Sequence, residues 1–175
     1  SVLLFFRKSL WSLVLSLFDK EMIDERKKIM FLALATLPAV IAALLFKEFF
    51  DAVPGKPVVV SALLYVTGFL LFVPRLVKKG GGGVGCKSAL IMGIGQAFAI
   101  LPGISRSGST IVAGMLSGAK AEKAAEFSFL MSIPAISGGF VLTMKDRIEQ
   151  TGSFSEALKS CFTGPYLAGA IAAAI

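Results

Sequence analysis

"LPGISRSGST", Leu101 to Thr110, sets one arginine, four hydroxyl side chains and two glycines between apolar runs. An arginine at membrane depth costs about 2.5–3.5 kcal/mol on insertion scales, so it is found where it faces water, an anion or a protein partner. Pro102 and Gly103 disfavour a continuous helix, and Gly108 permits a close backbone approach. The spacing predicts helix, irregular loop, helix within Ser88 to Gly118, with the second helix restarting near Ser109. Irregular backbone at that depth survives only if it lines a cavity or is buried in protein.

The rest of the chain supplies the membrane. Of 175 residues, 55% are hydrophobic, and the mean hydropathy of +0.81 lies far from the soluble balance. Uncharged apolar stretches run Ile29 to Phe46, Val58 to Pro74, Ser88 to Ile104 and Phe127 to Met144, each 17 or 18 residues, close to the shortest length that spans a hydrocarbon core. A fifth, Phe162 to Ile175, is still apolar where the sequence stops, and the other end opens on "SVLLFFRK". The expectation is a single membrane domain over 1–175, cut at both ends. In "SLWSLVLSLF", Ser9, Ser12 and Ser16 share one helical face opposite Leu10, Leu13, Val14 and Leu17, which predicts an interfacial helix anchored by Trp11.

Lys and Arg exceed Asp and Glu by seven, but they sit in short clusters between apolar segments, which points to headgroups and loops and away from nucleic acid. Arg7 and Lys8 interrupt the first apolar run, against a signal peptide. Two cysteines, Cys86 and Cys161, make neither a disulfide framework nor a metal site. The chain has no histidine, which removes the commonest general base and zinc ligand from it. PAP2-like lipid phosphatases, whose signatures need histidines, are disfavoured accordingly.

The glycine run Gly80 to Gly85 resembles a phosphate-binding loop, but Cys86 separates Gly85 from Lys87, so it reads as a flexible solvated linker. "LATLPAV", Leu34 to Val40, and "LMSIPAI", Leu130 to Ile136, match at an offset of 96 residues and suggest internal duplication of the kind found in transport folds. Charge does not decide how Ser88 to Gly118 sits. With Lys20 to Lys28 inside, and Arg7, Lys8 and Arg106 left out, a re-entrant hairpin gives 10 basic residues inside to 5 outside, and a full crossing gives 11 to 4.

Physically, the loop is an anion site. The restarting helix would aim its unpaired N–H groups and positive dipole end beside Arg106, and Ser105, Ser107, Ser109 and Thr110 add hydroxyl donors. A guanidinium takes two oxygens at once, which favours a phosphate or diphosphate. The bland alternative is that the hydroxyls cap helices and the arginine snorkels to the headgroups. Gln96, one to two turns earlier, is expected to hydrogen-bond across helices, and Glu126 to complement a helix N-terminus.

"GIGQAFAILPGISRSGSTI", with "AAEFSFLMSIPA" downstream and "FRKSLW" upstream, closely resembles the undecaprenyl-diphosphatase family, the bacterial bacitracin-resistance phosphatases. Pro102 through Thr110 fits the family's Pro-Gly-x-Ser-Arg-Ser-x-x-Thr signature throughout. The resemblance implies an all-α integral membrane fold with transmembrane helices, a re-entrant helix-loop-helix and an inverted repeat. It implies a multi-pass enzyme of the bacterial inner membrane, its pocket open to the periplasm, that hydrolyses a polyprenyl diphosphate to the monophosphate for cell-wall synthesis. Carried over by position, Ser105, Arg106 and Thr110 would be catalytic, and Gly103, Ser107, Gly108 and Ser109 would contact substrate. The family's other signature, an acidic motif followed by a Pro-Ile-Ser-Ser-Thr-Gly-His type segment, is not in this chain. The divalent metal that the family implies would take its ligands from that part, no cofactor site is identifiable here, and this segment alone is not expected to turn over. A transporter or flippase for an anionic lipid or phosphate is the alternative from another class, since broken helices holding an anion also serve transport.

Overall fold

The computed structural model describes residues 23–77 and 80–155, together with 158, 169 and 172. Within them the chain forms six helices: α1 (Ile23–Leu45), α2 (Lys47–Ala52), α3 (Pro57–Leu76), α4 (Cys86–Phe98), α5 (Arg106–Leu116) and α6 (Ala121–Thr151). Three of them carry stretches long and apolar enough to cross a bilayer, Arg26–Leu45, Pro57–Leu76 and Ala121–Glu149. At 1.5 Å per residue, the 20-residue stretches reach about 30 Å, the thickness of a hydrocarbon core. The architecture is that of an all-α integral membrane protein.

Local chemistry sets the boundaries. Pro57 opens α3 at a position where its missing N–H is no loss. Pro38 and Pro134 lie inside α1 and α6, and in each helix the hydroxyl two residues earlier bonds a carbonyl of the preceding turn, Thr36 to Leu32 O at 2.7 Å and Ser132 to Phe129 O. Gly152, with φ of 68°, ends α6 in the left-handed conformation that favours glycine.

α4 and α5, with 13 and 11 residues, extend only about 20 and 17 Å, too short to span. Their outer ends are joined: the Gly82 N–H donates to Gly118 O at 3.4 Å, and the Lys120 N–H to Gly82 O at 2.9 Å. The segment therefore enters and leaves on one face as a re-entrant hairpin, which settles the question that charge counting left open. Ser88 to Ile104 is not a fourth span. The glycine run is likewise not a plain linker, because Gly82 pairs in a bridge with Ala119 and closes the hairpin's base.

The hairpin is wedged among the spans. α1 packs on α4, α3 on α5, and α6 on both α1 and α5. The core gathers Ala35, Ala89, Met92, Phe127 and Met131. Small residues set its spacing, since a Cβ at Gly93 would stand 2.4 Å from Ala35 O, so α1 and α4 touch backbone to backbone. The outer side of α3 is apolar, with Val58, Tyr65, Phe69 and Leu76 between 76% and 84% exposed, as a lipid-facing surface requires.

Lys28 and Lys123 line one cleft near the starts of α1 and α6, and Lys47, just beyond α1, pairs with Asp146 late in α6 at 2.9 Å. The two helices thus run the same way. The matched stretches around Pro38 and Pro134 lie on parallel helices, so their similarity does not display an inverted pair, which needs opposite directions. The predicted interfacial helix around Trp11 lies outside the described residues, as does most of the Phe162 to Ile175 stretch.

Candidate anion site at the hairpin tip

The tip is built by a turn, a clamp and a cap. The Ile104 N–H donates to Leu101 O at 3.1 Å around Pro102 and Gly103, and Gly103 has φ of 99°. Proline second and a positive-φ glycine third is the arrangement of a type II turn. A Cβ on Gly103 would lie 2.7 Å from Val60 O, so the turn also rests directly on α3. Thr67 of α3 holds it there: its hydroxyl donates to Gly103 O at 2.6 Å and accepts the Ser105 N–H at 3.0 Å.

Ser105 then starts α5. Its extended backbone and its Oγ, which accepts the Gly108 N–H at 3.1 Å, make it the N-cap. The helix therefore begins at Arg106, three residues earlier than the expected Ser109, because a cap that satisfies Gly108 lets the glycine sit inside the first turn. Ser109 donates to Ser105 O at 2.8 Å, and Thr110 donates to Arg106 O at 2.9 Å. The Thr110 hydroxyl also lies 2.6 Å from Ser128 Oγ of α6.

Arg106 is half-buried at the start of α5. Its Nε donates to Gln96 Oε1 at 3.1 Å and its Nη2 to the same oxygen at 2.7 Å. A guanidinium carries five N–H donors, so three remain, including both on Nη1. Among the described residues no carboxylate pairs with Arg106, whose guanidinium is held by an amide oxygen. The first two N–H groups of α5 are left over at the positive end of its dipole. This donor set suits an anion with several oxygens.

The seven expected site residues divide into two groups. Ser105, Arg106 and Ser107 are at least partly accessible at the tip. Gly103 forms the turn, Gly108 is buried against Ser105 and Leu71, Ser109 is 7% exposed, and Thr110 is fully buried. Those four shape the loop, their polar atoms being turned into the protein. Gln96 makes the cross-helix bond expected of it, to Arg106. Glu126 does not open a helix: it is the sixth residue of α6, pairs with Lys123 at 3.0 Å, and lines the cleft by Lys28 and Gly83 near the hairpin base. Thr67 is not among the sequence candidates, and an aliphatic hydroxyl within the apolar "YVTGF" is its only trace in the sequence.

The divalent metal that the resemblance implies does not fit these residues. Among the described residues no three His, Cys, Asp or Glu side chains gather, and the tip presents a guanidinium and N–H donors, which repel a cation. Beside the tip, Leu101 joins Ala42, Phe46, Phe49, Phe50, Ala97 and Phe98 around a wholly apolar cleft of about 280 Å³.

The bacitracin resistance protein BacA family matches residues 1–175. A protein of Rhodopirellula baltica named undecaprenyl-diphosphatase is 40% identical over 174 residues, covering 98% of this chain and 65% of its own length. Proteins of the same name from Syntrophotalea carbinolica and Methanobrevibacter smithii are 40% and 39% identical, over 82% and 69% of the chain. The chain spans 57% and 45% of those two relatives, so it corresponds to roughly half to two thirds of the curated proteins it matches. Matched from end to end by one family model, the chain belongs to the bacitracin resistance protein BacA family.

Proposed function

We propose that the full-length protein containing this chain hydrolyses a polyprenyl diphosphate to the monophosphate and inorganic phosphate, and that the hairpin tip holds the diphosphate. The observation that carries this reading is Arg106: half-buried, unpaired with any described carboxylate, and left with three N–H donors beside the start of α5. The relatives' printed name, undecaprenyl-diphosphatase, supports it.

The oxygen of a water bonds to the terminal phosphorus as the bridging P–O bond breaks. The prenyl monophosphate leaves with the bridging oxygen and takes up one of the water's protons there, the other stays on the new inorganic phosphate, and charge on the phosphoryl and bridging oxygens must be held meanwhile. Arg106 and the first N–H groups of α5 stabilise that charge. The Ser105 hydroxyl already accepts from Gly108, so its own proton remains to donate to a phosphoryl oxygen, and Ser107 can orient the substrate or water. Thr110 acts through the loop, holding the first turn of α5 against α6. The apolar cleft at Leu101 lies where the prenyl chain would run from a diphosphate at the tip. No step is routed through a metal.

The ends of the membrane segments by Arg26, Lys27, Lys28, Arg75, Lys87, Lys120 and Lys123 are the more basic face, which the positive-inside rule assigns to the cytoplasm of a bacterial inner membrane. The tip then points toward the outer half of the bilayer. Purified full-length protein in detergent tests the reading: it should release phosphate from a polyprenyl diphosphate, whereas a carrier would bind the lipid and release none.

A further inference from the structure

Gln96 holds Arg106 in a way that packing does not explain. It sits on α4, the other arm of the hairpin, and is only 3% exposed. One of its atoms, Oε1, accepts from both Nε and Nη2 of Arg106, engaging the side edge of the guanidinium and leaving its end, the Nη1 and Nη2 fork, open. The other, Nε2, is buried with no hydrogen-bond partner among the described residues. A buried donor left unpaired is a burden on stability, so an apolar side chain of the same size would serve the core better.

The charge of the acceptor matters as much as its position. Half-buried arginines are commonly held by a carboxylate, which fixes the guanidinium but cancels its charge. An amide fixes the same edge and leaves the full positive charge for a ligand. We propose that Gln96 is a positioning residue that presents the Nη1 and Nη2 fork of Arg106 to the diphosphate while keeping it electrostatically unpaired. The inference rests on the proposed function and adds to it a second residue and the reason it is an amide.

Two variants of the full-length protein in detergent separate its parts. Gln96→Glu keeps an acceptor oxygen in place and adds a negative charge; Gln96→Met keeps the volume and removes the acceptor. For Gln96→Glu we expect an unfolding temperature close to wild type, a KM for polyprenyl diphosphate raised about tenfold, and inhibition by inorganic pyrophosphate weakened by a similar factor. For Gln96→Met we expect kcat lowered about tenfold or more with the unfolding temperature little changed, because the fork is no longer aimed. Wild-type kcat, KM and pyrophosphate inhibition in both variants would overturn the inference, as would losses of activity that only follow losses of fold. Arg106→Ala measured alongside keeps the two levels apart. If it is inactive while the Gln96 variants behave as wild type, only the role of Gln96 falls; if it too is fully active, the reading of the site falls with it.

Discussion

The Thr67 hydroxyl on α3 donates to Gly103 O at 2.6 Å and accepts the Ser105 N–H at 3.0 Å, so one side chain on a spanning helix fixes both sides of the turn that carries Arg106. Thr67→Val keeps the shape and removes both bonds, leaving a half-buried N–H and C=O without partners. The expected loss is about 1–3 kcal/mol in unfolding measured in detergent, with phosphate release lowered because the tip loosens. Thr67→Ser should restore most of both.

Gly103→Ala should be worse than its size suggests. The positive φ costs about 1–3 kcal/mol for any other residue, and the new methyl would meet Val60 O at 2.7 Å. The turn must move off α3, so membrane expression and thermal stability should both fall. Gly81→Ala, where a Cβ meets nothing within 4 Å, is the matched control and should be silent.

Thr110 and Ser128 form a buried hydroxyl pair between α5 and α6. A double-mutant cycle with Thr110→Val and Ser128→Ala should show coupling of about 0.6 kcal/mol in stability, the average for hydrogen bonds between membrane helices, and at most about 1.7 kcal/mol. Because Thr110 works through the loop, Thr110→Val should lose phosphate release only as far as it loses folded protein, and Thr110→Ser should restore both. A Thr110→Val variant that folds like wild type and is as inactive as Arg106→Ala would place the hydroxyl on the substrate.

How legible this was depended on where each determinant sits in the chain. The broken segment could be read because an arginine, a proline and a glycine inside an apolar run violate what lipid tolerates, whatever surrounds them. The restart at Arg106 was misplaced because Gly108 looks like a breaker until the Ser105 cap that satisfies its N–H is seen. Which hydroxyls face the tip was not legible at all, since neighbouring residues on a helix point about 100° apart and the entry angle of α5 fixes that direction. Thr67 is separated from Ser105 by 38 residues and belongs to another span, so no local pattern connects them. The closing of the hairpin base by Gly82 and Ala119 has the same cause: the pairing joins two segments that only the fold brings together.

The re-entrant path makes a topological prediction. Cys86, free and exposed at the hairpin's entry, should react with a membrane-impermeant thiol reagent from the same side as a cysteine placed at Lys120, and from the side opposite to one placed at Lys47. A Cys161→Ser background, and Cys86→Ser for the placed cysteines, keeps the signals apart. Labelling of the Cys86 and Lys120 positions from opposite sides would mean that the segment crosses.

The most direct measurement compares Arg106→Ala and Arg106→Lys with wild type in the full-length protein, recording phosphate release from a polyprenyl diphosphate and the amount of folded protein in the membrane. Arg106→Ala should lose at least about a hundredfold in kcat/KM at near wild-type expression. Arg106→Lys should recover only part of it, because an ammonium cannot offer two parallel N–H donors. Phosphate release that declines only as far as expression does would contradict the account.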